Sequence, residues 1–143
     1  MKIWKIPPSL EVLNKTGENT LVDHLNIKFI EIGDDYLKAT MPVDKTTVQP
    51  MRLLHGGASV ALAETMGSVA SVLCLDDLSK QSVVGVEINA NHLSSAKEGD
   101  TVTAIVKPIK IGRQLHVWEI KIYRSDERQI CVSRLTIAVV ERR

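Results

Sequence analysis

One helix-length apolar stretch set among alternating segments constrains this chain more than any other feature. Residues 57 to 75, "GASVALAETMGSVASVLCL", carry its only long helical pattern, about 19 residues or roughly 28 Å at 1.5 Å per residue. Around it, polar and apolar side chains alternate as in strands. "LNIKFIEIG" and "YLKATMPV" precede it, joined by the hairpin turn Gly33-Asp34-Asp35. "VVGVEINANHL", "TVTAIVKPIK", "LHVWEIKIYR" and "QICVSRLTIAVV" follow, separated by turn-like "SAKEGD", "KIGRQ" and "SDER". An antiparallel sheet with one buried face needs a cover, and the most apolar helix is the natural one. The expectation is an α+β fold in which a curved antiparallel sheet of about six strands wraps around one long central helix. Ahead of the first strand, Ser9 and Asn19 read as caps of two short helices, "LEVL" and "TLVDHL".

A length of 143 residues suits one domain, read here as residues 1–143. A net charge of +1 offers no electrostatic footprint for nucleic acid, and 2 Trp, 2 Tyr and 1 Phe leave little for base stacking. No apolar run reaches the roughly 18 residues of a membrane span, and Pro7 and Pro8 interrupt "MKIWKIPPSL" before a secretory core forms. A cytoplasmic protein without nucleic-acid or membrane partners is expected. Cys74 and Cys131 lie in apolar company without CxxC spacing, as buried thiols do. The histidines, His24, His55, His92 and His116, show neither HxH nor HExxH spacing, so no metal site is expected.

At 100° per residue, Leu62, Met66, Val69 and Leu73 form a core-facing stripe. Opposite, Gly57, Val60, Ala61, Gly67, Ser68 and Ser71 cluster around Glu64, the only charged residue between positions 57 and 75. A lone Glu on a helix is ordinarily just solvated. A water-facing helix of this length carries several charges, however, and a face of Gly, Ala and Ser lets a ligand or another backbone come close. Glu64 is therefore read as functional. Gly56 and Gly57 open the helix with unshielded N–H groups at the positive end of its dipole, where an anion or a carbonyl oxygen can be held. Gly56 and Glu64 stand about 12 Å apart along one axis, too far to act on one atom. Two helices packed antiparallel about a two-fold bring the start of each beside the Glu64 of the other, which predicts a dimer with composite sites.

The stretches "QPMRLLHGGASVALAETMGSVAS", "VVGVEINANHLSSAKEG" and "IGRQLHVWEI" together resemble the PaaI-type hotdog-fold acyl-CoA thioesterases. They are most similar to the aryl-CoA branch, which includes the 4-hydroxybenzoyl-CoA and 1,4-dihydroxy-2-naphthoyl-CoA thioesterases and the proofreading enzyme of enterobactin synthesis. The likeness runs from about residue 20 to 141, and its motif of Gln-Pro, His-Gly-Gly and Ala-Glu-Thr is specific as a set. The resemblance implies hydrolysis of an acyl-CoA with an aromatic or otherwise bulky acyl group, by dimers that pair into tetramers, with no metal or organic cofactor. It gives Glu64 the role of nucleophile or general base and Gly56 that of backbone donor to the carbonyl, from the neighbouring protomer. Gln49 and His55 match polar groups near the thioester, and Ser68 a hydroxyl that helps place water. A donor where negative charge develops and a carboxylate within reach of water or carbon are what thioester hydrolysis needs.

His92 falls in the strand phase of Val84, Val86, Ile88 and Ala90 and so points to the helix side, either as a core histidine or as a lining of the acyl or pantetheine channel. The phosphates of CoA call for a basic rim, for which Arg113 beside Gly112, Lys97, Lys110 and Arg52 are candidates. Two positions depart from the family pattern. Met51-Arg52 replaces an aromatic-Gly pair and alters the wall of the acyl pocket, and Ser94 stands where relatives often carry an Arg, which Arg52 could replace. Two other functions fit this frame: an enoyl or β-hydroxyacyl thioester hydratase-dehydratase, and a non-catalytic acyl-CoA binding module. The first wants a His paired with an acid, whereas His55 and Glu64 are on different turns. The second gives no reason to keep an unpaired carboxylate against a thioester.

Overall fold

All six alternating segments form strands of one sheet. The computed structural model describes residues 1–143. Two short helices, α1 (Leu10–Thr16) and α2 (Leu21–His24), lead into the hairpin of β1 (Lys28–Ile32) and β2 (Leu37–Pro42). The long helix α3 (Gly56–Leu73) follows, then β3 (Gln81–His92), β4 (Thr101–Ile111), β5 (Leu115–Tyr123) and β6 (Gln129–Glu141). Strand order is β1-β2-β4-β5-β6-β3 with every pair antiparallel, so β3 is an edge strand bonded to β6 alone. Helix α3 touches β2, β3, β4, β5 and β6, so the sheet wraps it as expected for the hotdog architecture.

The alternation drives this arrangement. Leu37, Ala39 and Met41 of β2, Val102, Ala104 and Val106 of β4, and Trp118, Ile120 and Ile122 of β5 are fully buried against Leu62, Ala63, Met66 and Ala70 of α3. Each large side chain so buried contributes about 1.5–3 kcal/mol.

The buried face of α3 differs from the four-residue stripe that periodicity predicts. Val69 is only half-buried, whereas Gly67 and Ser71, expected beside Glu64, are in the core. A concave sheet covers a wider arc of helix than a flat one, and these small residues are what fit it. A Cβ on Gly67 would overlap Leu135 Cδ2. Ser71 Oγ accepts from Trp118 Nε1 at 2.7 Å and bonds His116 Nδ1 at 2.9 Å, so all three buried polar groups are satisfied.

Ser9 caps α1 as predicted, but Thr20 rather than Asn19 caps α2. Asn19 takes φ 62°, a left-handed conformation that Asn tolerates in the preceding turn. Helix α3 begins one residue earlier than its sequence pattern and stops at Leu73, whose carbonyl accepts from Lys5 N at 2.9 Å and Ile6 N at 3.0 Å.

Strand β3 also departs from simple alternation. Its register with β6 shifts between Gly85 and Glu87, leaving Val86 as an extra residue. Val83 and Gly85 therefore face the helix before the bulge, and Ile88, Ala90 and His92 after it. Val84 and Val86, expected on the helix side with His92, are 49% and 59% exposed.

Candidate active site

The turn ahead of α3 builds one half of the site. His55 N donates to Thr47 O at 2.8 Å and Leu54 N to Ala96 O at 2.8 Å, which fixes where the helix starts. The His55 carbonyl accepts from Ala58 N at 3.0 Å and Ser59 N at 3.2 Å, and His55 Nδ1 accepts from Gly57 N at 2.8 Å. Of the first four N–H groups of the helix, only that of Gly56 then has no acceptor in the chain. Glycine leaves this donor open to close approach, and the His92 ring lies beside it: a Cβ on Gly56 would come 2.9 Å from His92 Nε2.

Gln49 reaches the same place through a tight turn. Arg52 N donates to Gln49 O at 2.8 Å with Arg52 at φ 64°, and Gln49 Oε1 accepts from Met51 N. Gln49, Gly56, Ser59, His92, Leu93 and Ser94 are among the residues lining an open cleft of about 390 Å³. The Gly56 N–H is thus a free donor at the positive end of a helix, inside a cleft with polar side chains.

Glu64 lies two turns further along. The residue is half-buried, and its carboxylate takes part in no ion pair of the chain and rests against β3, with Oε2 2.9 Å from where a Cβ on Gly85 would be. Ser68 follows one turn later, also half-buried. The chain therefore brings Gln49, His55, Gly56 and His92 together and holds Glu64, Ser68 and Gly85 apart from them.

The predicted basic rim divides. Arg52 is exposed and paired with Glu98, with Nε 3.1 Å from Oε1 and Nη2 on Oε2. Lys97 is exposed, in the loop that pairs with Leu53. Gly112 and Arg113 occupy the β4–β5 turn, where Gly112 N donates to Leu115 O at 2.8 Å. They line a pocket with Cys74 and His116 at the far end of α3, so one chain does not bring them to Gly56. Met51 is 78% exposed at the edge of the Gln49 turn.

Two residues that touch predicted site residues escape a reading by motif. Gly85 shows in sequence only as a glycine within a strand pattern, a signal of a bulge or a close approach. Arg128 comes from the β5–β6 turn, where its Nε donates to Ser94 Oγ at 2.9 Å, and no carboxylate pairs with it. A guanidinium thus reaches Ser94 from a different hairpin.

The titratable core lies outside the cleft. Burial holds the His116 imidazole below its ordinary range, assisted by Lys5 and opposed by a hydrogen bond to the Gly112 backbone. Burial likewise pushes the Cys74 thiol up to about 11. Nowhere do three His, Cys, Asp or Glu side chains converge as a metal site would require.

With this geometry in hand, known proteins place the chain. A model of the Thioesterase superfamily matches residues 51–131. A 1,4-dihydroxy-2-naphthoyl-CoA hydrolase of Escherichia coli is 53% identical over 96% of this chain and 99% of that protein. The proofreading thioesterase EntH of Cronobacter turicensis is 51% identical over 96% and 98%. The crystal structure of a mutant thioesterase of Pseudomonas aeruginosa superposes with a TM-score of 0.95 at 47% identity, covering 99% of this chain and all of that one. By sequence, fold and length, this chain belongs to the thioesterase superfamily and is a thioester-hydrolysing enzyme.

Proposed function

We propose that the chain hydrolyses an aromatic or bulky acyl-CoA, 1,4-dihydroxy-2-naphthoyl-CoA foremost, to the free acid and CoA. The observation that carries the reading is the unclaimed Gly56 N–H at the start of α3, set in the cleft with Gln49 and His92. Likeness to the E. coli hydrolase supports the acyl group.

In this reading the site is completed by a second copy. The free edge of the 12-residue strand β3 pairs antiparallel with its equivalent, since an uncovered edge of this length invites a partner strand. Gly85 stands beside Glu64 and His92 beside Gly56. Pairing that brings His92 of one strand to the level of Gly85 of the other therefore brings Gly56 of one protomer to Glu64 of the second. Such dimers associate further into tetramers.

The Gly56 N–H then polarises the thioester carbonyl and takes the negative charge that develops on its oxygen. Glu64 either attacks the carbonyl carbon, giving an acyl-carboxylate anhydride that water cleaves, or removes a proton from the water that attacks. In both routes the C–S bond breaks and the sulfur leaves as thiolate, to be protonated as CoA. Ser68 helps place the water, and Gln49 and His55 line the thioester. Arg128 and Lys97 meet the phosphates of CoA, joined by Arg113 of the other protomer. Water and side chains suffice without a cofactor, and a pair of buried thiols suits the reducing cytoplasm.

The test is free-thiol release from a panel of aryl and fatty acyl-CoAs by wild type and Glu64→Gln. The reading expects one aryl class to be hydrolysed well and the variant to lose a factor of about 10³ or more. Wild-type rates in Glu64→Gln, or no turnover of any thioester, would refute it.

A further inference from the structure

Nothing on α3 itself holds the Glu64 side chain in place. Its helical neighbours at three and four residues are Val60, Ala61, Gly67 and Ser68, and the carboxylate makes no hydrogen bond to any of them. No ion pair fixes it either. What the carboxylate lies against is strand β3. A Cβ built on Gly85 would sit 2.9 Å from Glu64 Oε2 and 3.9 Å from its Cδ, with no other atom within 4 Å. Oε2 is therefore turned to the strand and Oε1 away from it.

The backbone does not ask for glycine at this position. Of the glycines, only Gly99 takes a positive φ. Glycine inside a strand is also less stable than alanine, because it has more freedom to lose on folding. What the missing side chain provides is room for one carboxylate oxygen against the strand, next to the bulge at Val86.

We propose that Gly85 is a positioning residue for the catalytic carboxylate: its bare Cα forms the slot that aims Glu64 toward the thioester. The inference rests on the catalytic reading of Glu64. Because the only atoms a new Cβ meets belong to the tip of a flexible side chain, Gly85→Ala moves the carboxylate and leaves the fold intact.

The experiment is a cycle of Gly85→Ala, Glu64→Asp and their double variant in the full chain, assayed by thiol release from the best acyl-CoA, with melting temperature and oligomeric state recorded. Gly85→Ala is expected to lower kcat by about 10- to 100-fold, the scale of a small misplacement of a reacting group, with KM changed less than about 3-fold. Its melting temperature should equal or exceed that of wild type. Asp is one methylene shorter and stays clear of the new methyl, so in the Glu64→Asp background Gly85→Ala should cost less than about 2-fold. Wild-type kcat in Gly85→Ala, or an equal loss in both backgrounds, would overturn the proposal while leaving Glu64 catalytic. Full activity in Glu64→Gln would instead refute the reading beneath it, and the slot with it.

Discussion

His55 Nδ1 accepts the Gly57 N–H at 2.8 Å, so the residue that precedes the helix also closes its first turn. This acceptor requires the tautomer with the proton on Nε2. It is the bond that reserves the Gly56 N–H as the one open donor. Removing it in His55→Ala should destabilise the protein by about 1 kcal/mol, the usual worth of an N-cap. His55→Asn keeps an oxygen acceptor at the cap and should recover that stability, while kcat stays below wild type because the imidazole that lines the thioester is gone. Denaturant melts and thiol-release kinetics on both variants check this.

At Gly67, α3 packs close against Leu135 of β6. Gly67→Ala drives a methyl into Leu135 Cδ2, and overpacking of this kind costs about 1–3 kcal/mol. Leu135→Val in the same chain should return part of the loss. A chemical-denaturation series on the two single variants and the double would show whether the pair couples.

His116 makes stability depend on pH in a direction that can be stated. Its folded pKa is depressed by burial, so the unfolded chain takes up the proton first. The contribution of neutral His116 is therefore complete above its unfolded value near 6.5 and is lost as pH falls below it toward the folded value. Urea melts from pH 7.5 to 5 should show wild type weakening relative to His116→Asn, whose side chain does not titrate. Parallel curves would mean that the imidazole does not govern this range.

Cys74 and Cys131 are buried and free, and burial raises both thiols, Cys74 to about 11. Neither offers much thiolate at pH 8. Alkylation by iodoacetamide should be slower than for an unfolded peptide by a factor of about 100 or more, and 2 thiols should appear on unfolding. Rapid labelling of the folded enzyme would contradict this.

Sequence alone determined the strands, the single long helix and the oddity of Glu64, because period-2 and period-3.6 patterns and a lone charge are local properties of the chain. It also marked Gly56, since two glycines ahead of an apolar helical run read as a helix start with open N–H groups. What only the tertiary structure decided were relations between distant segments. The bulge at Val86 resets the phase of β3 and exposes Val84; Gly85 hints at an irregularity there, but only the pairing with β6 decides that it is a bulge and which residues it turns outward. Gly67 and Ser71 are core residues because Leu135 and Trp118 come to them across some fifty to seventy positions of chain. Arg52 is claimed by Glu98, while Arg128 arrives at Ser94 from another hairpin. Gly85 meets Glu64 because a strand twenty residues on runs back along the helix, and a glycine's significance lies in what occupies the space its side chain would have filled.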